Sequence, residues 1–218
     1  MIYPEPIFRP MGDRALLVET GDRVDPSVNR KVRELFAALR QVPIEGVLDL
    51  VPAYRSLMIV FDPLRISLAT LERQLLLLHE SADPSELPQP KTIEVHVRYG
   101  GEEGPDLEWV ARYHGITPEE VIRLHTGAVY RIYMIGFSPG FPYMGELPDG
   151  LITPRRETPR VKVVQGSVAI AQNQTGIYPV SSPGGWQILG RTSLCLFDAH
   201  QWPPTPLQMG DFVKFVAV

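Results

Sequence analysis

The sequence is poor in cysteine, in lysine and in long apolar runs, and each shortage removes a class of protein. Cys195 is the only cysteine, so no internal disulfide can form and no cysteine-based zinc site can be built. It lies in the apolar run 194–197, which suits an inert buried thiol rather than a nucleophile. The chain has four lysines and a formal net charge of −4. A nucleic-acid binder needs a basic face to meet phosphates, and none is offered here. No apolar stretch approaches the length of a membrane span, and the first ten residues lack a basic segment followed by an apolar one. A soluble cytoplasmic protein with no membrane or nucleic-acid contact is expected. The pattern G-x-x-x-x-G-K-[ST] is missing, so any ATP that is used is not held in a P-loop. The five histidines show no metal-like spacing, and no metal is expected.

What is present is ordinary in bulk. The chain has 218 residues, 44% of them hydrophobic and 21% charged, enough for one large or two small globular domains. The first part reads β-β-α-β-β-α. A short strand, a Gly12-Asp13 hairpin turn and a second strand around residues 15–19 open it. Asp25 can cap a helix with Pro26 in its first turn, and Val28, Val32, Leu35, Phe36 and Leu39 follow at helical spacing. Strands at 46–51 and 55–61 come next, then a helix capped by Ser67. Two helices on one face of a small antiparallel sheet is the economical arrangement. Residues 81–90 hold three prolines and read as a linker. Domains at 1–88 and 89–218 are therefore expected.

The second part opens with a strand at 92–98, a glycine-rich turn, and Asp106 as the cap of a helix at 107–114. Thr117-Pro118-Glu119-Glu120 is a capping box for a further helix closed near Gly127. Two short helices with a tight turn resemble a helix-turn-helix on paper, but Glu119 and Glu120 at the start of the second are unsuited to a DNA groove. After Gly127 come short strands at 129–137, 161–164, 166–171, 186–190, 193–197 and 211–216, the pattern of a compact antiparallel barrel or sandwich.

The densest stretch is 131–150. It begins as a strand apolar on both faces and breaks into glycines, prolines and aromatics, the mark of a specified and functional loop. Gly136-Phe137-Ser138-Pro139-Gly140 matches G-x-S-x-G by letter only. That elbow needs a helix after the serine and a backbone N–H from the next residue, and Pro139 has none. Residues 153–162 pack Arg155, Arg156, Arg160 and Lys162 into one loop, either a solvated turn or an anion site. Residues 174–192 gather Gln174, Thr175, Tyr178, Ser182 and Arg191, groups suited to an amide- or carboxylate-bearing ligand. His125 ends its helix just before the central strand, as a satisfied helix-terminal histidine or as a group delivered to the barrel.

The motifs GFSPGFPYMGELP, GSVAIAQNQTGIYP, SPGGWQILGRT and GDFVKF, with GDRALLVE, AYRSL, YGGEEGPDL and HTGAVYRIYMIGF before them, are together similar to one family. It holds the B subunit of bacterial 5-oxoprolinase, the Kip-type histidine-kinase inhibitors and subunit 1 of the allophanate hydrolase/urea amidolyase group. The resemblance spans about residues 9–215. It implies an N-terminal two-layer α/β domain and a cyclophilin-like antiparallel β-barrel. It also implies work with the C and A subunits of 5-oxoprolinase in the ATP-dependent opening of 5-oxoproline to glutamate, with ATP as co-substrate of the complex. The alternatives within the family are an inhibitor that docks on a sensor histidine kinase and a carboxyltransferase component. The motif residues that become candidates are Glu102, Asp106 and His125 for catalysis, and Tyr143, Gln174, Tyr178 and Arg191 for substrate. Val164-Gln165, Gln172 and Ala199 depart from the family pattern, beside an expected cleft walled by 136–146 on one side and 174–192 on the other.

Overall fold

The computed structural model describes residues 1–81 and 87–218. The chain forms two compact units, Met1–Gln89 and Pro90–Val218. Residues 82–86 of the expected linker lie outside the described residues.

The first unit follows the expected β-β-α-β-β-α order: β1 (Ile2–Pro10), β2 (Ala15–Gly21), α1 (Pro26–Gln41), β3 (Val47–Pro52), β4 (Ser56–Phe61) and α2 (Leu68–Ser81). The antiparallel sheet runs β1-β2-β4-β3. The Asp25 side chain accepts the Ser27 N–H at 2.8 Å, and Ser67 Oγ accepts the Thr70 N–H at 3.2 Å, so both helices start where their caps place them. Leu16, Val18, Leu57 and Ile59 from the sheet meet Val32, Leu35, Leu71 and Leu75 from the helices in one core.

The second unit is a closed barrel, β10-β7-β6-β13-β5-β12-β9, with a two-stranded ribbon beside it. Its strands are β5 (Thr92–Tyr99), β6 (Tyr130–Ile135), β7 (Pro142–Gly145), β8 (Arg160–Val163), β9 (Ser167–Ala171), β10 (Gln174–Ile177), β11 (Ser182–Gly184), β12 (Gln187–Arg191) and β13 (Phe212–Ala217). Helices α3 (Leu107–His114) and α4 (Pro118–Gly127) lie between β5 and β6. The barrel is antiparallel except at β5 and β13, which pair in parallel.

Residues 193–197, expected as a strand on their apolar run, form none. Leu196 is buried, but Cys195 between its neighbours is exposed, with Sγ 3.5 Å from the Phe197 carbonyl. The expected buried thiol is therefore a surface thiol. The apolar run follows the wall at Gly140 instead of entering a ladder, so only alternate residues turn inward.

Alternate residues of the barrel strands build two layers. Val95, Val97, Ile132, Met144, Val168, Ile170, Leu189 and Phe215 fill the interior. Phe141, Ala169, Ala171, Tyr178, Trp186 and Ile188 form a second cluster, with Tyr143 against it. Ala169 and Ile188 belong to this cluster while Val168 and Leu189 beside them belong to the interior, so it covers the outer face of β9 and β12. Gly176 lets the Phe141 ring lie on the β10 backbone, since a Cβ there would meet the ring at 2.8 Å.

Candidate functional site

The stretches 136–146 and 174–192 are not facing walls. β7 and β10 are hydrogen-bonded neighbours, with Tyr143 opposite Gly176. Their aromatics interlock instead. Phe141 meets Tyr178 and Trp186 edge-on at 5.2 and 5.6 Å, and Tyr143 reaches Trp186 at 5.8 Å. Ser138 sits in a tight turn with no helix after it, which agrees with its rejection as a nucleophile.

The polar centre beside this aromatic layer is Asp106. It is 3% exposed. Asp106 does not cap α3 with its side chain, as the sequence suggested. Its Oδ1 accepts Arg160 Nη2 at 2.7 Å and Arg156 Nη1 at 3.0 Å, and its Oδ2 accepts the Ile188 N–H at 2.7 Å. A buried carboxylate is stable only with such partners. Two guanidiniums on one carboxylate leave an excess positive charge. Among the described residues, Arg156 Nε and Arg160 Nη1 are buried without an acceptor, and the buried Gln187 amide carbonyl has no donor.

The backbone fixes this centre from both sides. Arg98 grips Glu103 through two bonds of 2.6 and 2.7 Å, and the Glu103 carboxyl is held below its usual range by that hydrogen-bonded guanidinium. The turn between them is pinned to β12 by Gly100 N–H on Leu189 O and Asp106 N–H on Ile188 O, both 3.0 Å. The arginine loop is tied down as well. His114 Nε2 lies 2.9 Å from Thr153 Oγ1, Gln187 Nε2 donates to Pro154 O at 3.1 Å, and Arg156 N–H donates to Gly185 O at 2.8 Å. His114 is thus an anchor rather than a solvated helix end.

Each of the two arginines on Asp106 lines a separate cavity. One of about 290 Å³ is lined by Glu102, Arg160, Lys162, Ser167 and Arg191. Arg191 Nε donates to Gln165 O at 2.9 Å, and Arg191 makes no ion pair among the described residues. The other, of about 530 Å³, is lined by Trp109, Tyr113, Arg155, Arg156, Glu157 and Gln187. Burial raises the pKa of the Tyr143 and Tyr178 hydroxyls, and the Arg155 charge opposes the rise at both. The Trp186 backbone also opposes the rise at Tyr178.

The sequence candidates therefore separate. Glu102 and Arg191 line the smaller cavity, and Asp106 lines neither but holds one arginine of each. Tyr143 and Tyr178 belong to the aromatic layer and lie within reach of the Arg155 charge. Gln174 lies on β10, opposite Gly145. Arg156 and Arg160 belong to the loop that the sequence left open as a solvated turn or an anion site, whereas Trp109 and Gln187 were not among the site candidates. The i, i+4 pair Trp109 and Tyr113 on a short helix was the readable signal for the aromatic part.

His125 is fully buried with both ring nitrogens engaged. Nδ1 lies 2.7 Å from the Tyr99 hydroxyl and Nε2 2.9 Å from Thr175 Oγ1, and the ring stacks on Phe215 at 4.5 Å. Thr175 donates its own proton to Ala169 O, so the network assigns a neutral ring that donates from Nε2 and accepts Tyr99 O–H at Nδ1. This geometry makes His125 a core residue rather than a catalytic one. Burial pushes its pKa down to about 3. Between the unfolded value of about 6.5 and that point only the unfolded chain takes the proton, so stability falls as pH falls, by up to about 1.4 kcal/mol per pH unit. Thermal melts from about pH 7 to pH 4 should show a shallower decline for His125→Gln than for the parent. Equal slopes would place the titrating group elsewhere.

Comparison with known proteins covers most of the chain. The family model described as carboxyltransferase domain, subdomain C and D, matches residues 6–207. The 5-oxoprolinase B subunit of Haemophilus influenzae is 46% identical, covering 88% of this chain and 89% of its own. The 5-oxoprolinase B subunit of Bacillus subtilis is 40% identical, covering 95% of this chain and 91% of its own. The crystal structure of the protein TTHA0988 superposes with a TM-score of 0.82 at 39% identity over 94% of this chain. This chain spans 40% of that one.

Proposed function

The chain belongs to the carboxyltransferase-domain family, subdomains C and D, and from that premise we propose that it is the B subunit of a 5-oxoprolinase. It is a component of a hydrolytic enzyme complex that opens 5-oxoproline to glutamate at the expense of ATP. The relatives named above supply the reaction, and the Asp106 centre supplies the observation that carries it to this chain.

5-Oxoproline carries a carboxylate and a lactam amide. The smaller cavity offers Arg160, Lys162 and Arg191 to the carboxylate, and Ser167 as a neutral hydrogen-bonding group. An unstrained lactam is a poor electrophile, and activation of its amide oxygen by phosphorylation makes it a better one. Oxygen charge that develops during such a step would be met by fixed cations that need no reorganisation. Glu102, exposed on the rim and in no ion pair among the described residues, is the carboxylate placed to act as a base. Tyr143, Tyr178 and Gln174 would support the outer wall. The partners we assign are the C and A subunits of the enzyme, with this chain inactive alone. That TTHA0988 carries more than half of its length beyond the matched part supports a complement to this fold. The kinase-inhibitor reading is not carried forward, because these relatives bear enzyme-component names.

Arg191→Ala tests the carboxylate assignment. Loss of a charged hydrogen bond is worth about 1.5–3 kcal/mol, so the KM for 5-oxoproline in the active complex should rise about tenfold to a hundredfold. The melting temperature should hold, since among the described residues the Arg191 side chain makes a single hydrogen bond, to a loop carbonyl. An unchanged KM would remove Arg191 from the site.

A further inference from the structure

We propose that the larger cavity, between α3 and the arginine loop, binds the adenine nucleotide, its base against Trp109 and Tyr113 and its polyphosphate on Arg155 and Arg156. The inference rests on the reading above that the complex consumes ATP. It assigns to this chain a site for that co-substrate.

Four features of the cavity point to this ligand. Its size, about 530 Å³, suits a nucleotide, whereas the 290 Å³ cavity suits a small lactam. Trp109 and Tyr113 stack on each other at 5.2 Å and 17°, yet are 39% and 53% exposed. An exposed pair of flat aromatic faces offers a platform for a base, worth about 1–3 kcal/mol per stacked base. The cationic side supplies what the missing P-loop would otherwise supply. Arg155 makes no ion pair among the described residues, and Arg156 shares its one carboxylate with Arg160, so both can receive phosphate oxygens. Gln187 is 2% exposed and lines the cavity, and its amide carbonyl lacks a donor. Its assignment is fixed because the amide nitrogen already donates to Pro154 O. The unmet carbonyl calls for an N–H or O–H, of which an adenine amine and ribose hydroxyls are sources. Glu157, the one carboxylate in the lining, is the other acceptor for ribose hydroxyls.

One arginine from each cavity bonds to the same atom. Arg156 from the larger and Arg160 from the smaller both bond to Asp106 Oδ1. A terminal phosphate on Arg156 and a lactam beside Arg160 would therefore lie on either side of a single carboxylate. Neither guanidinium can shift without disturbing the other.

Photolabelling of the complex as purified, with 8-azido-ATP and magnesium, tests this on the unmodified protein. Peptide mapping should place the label on this chain in residues 107–113 or 154–158, and unlabelled ATP should compete it away. Trp109→Leu combined with Tyr113→Leu should lower that labelling at least tenfold, with folding checked by circular dichroism. Label found solely on other components of the complex or elsewhere on this chain overturns the proposal, as does labelling that the double variant leaves unchanged. Glutamate release by the same preparation separates the two claims. Release without label at the cavity overturns the nucleotide site alone. Label at the cavity without release upholds the site and rejects the lactam reading.

Discussion

Asp106→Asn should reduce glutamate release by the assembled complex at least a hundredfold. The substitution keeps the side-chain shape and removes the charge. One carboxylate oxygen holds Arg156 and Arg160 and the other holds the Ile188 N–H. An amide can present an acceptor to one of these groups and must turn its NH₂ toward the other. Two guanidiniums would then face each other uncompensated. Breaking a buried pair by removing one partner costs about 3–5 kcal/mol, and the partial exposure of both arginines, 35% and 23%, favours the lower end. A loss of about 3 kcal/mol lowers the melting temperature by about 6–12 °C in a protein of this size. Well below the melt, the KM for ATP and the KM for 5-oxoproline should both rise, because Asp106 positions one arginine in each cavity. A shift in the melting temperature with both KM values intact would reduce Asp106 to a purely structural residue.

Gly104→Ala should strongly destabilise the second unit. A Cβ there would stand 2.0 Å from the Leu189 carbonyl oxygen and 2.4 Å from the Gly100 nitrogen. Both are backbone atoms and cannot swing aside. The turn before Asp106 would have to leave β12, breaking the Gly100–Leu189 and Asp106–Ile188 bonds. Several kcal/mol and the alignment of Asp106 would be lost together. Gly101→Ala is the matched control. Its φ of +54° is strained for alanine, but nothing lies within 4 Å, so it should cost about 1–2 kcal/mol. Melts of the two variants should differ sharply. Similar melts would show that the turn is not packed on β12.

The fold was readable where local signals agreed with long-range pairing. Asp25, Ser67 and Thr117 cap the helices they precede, and the β-β-α-β-β-α order follows from apolar spacing. The barrel was readable as a class but not strand by strand. β7, β10 and β11 are three or four residues long and rich in glycine and proline, too short to show an alternation. Residues 193–197 offered a short apolar run and form no strand. Asp106 read as a cap because it stands before a helix. Its real partners lie 50 and 54 residues later, in a loop that could equally have been a solvated turn. The resemblance named the family, while the facing of Arg156 and Arg160 across one carboxylate needed the closed barrel to bring β12 and the arginine loop to the turn after β5.

The central claim is tested most directly by ATP-dependent glutamate release from 5-oxoproline, measured for this chain co-purified with its partners and for the same partners without it. Release is expected from the full complex, and none when this chain is left out. Equal release without it, or no release from any combination, would contradict the assignment.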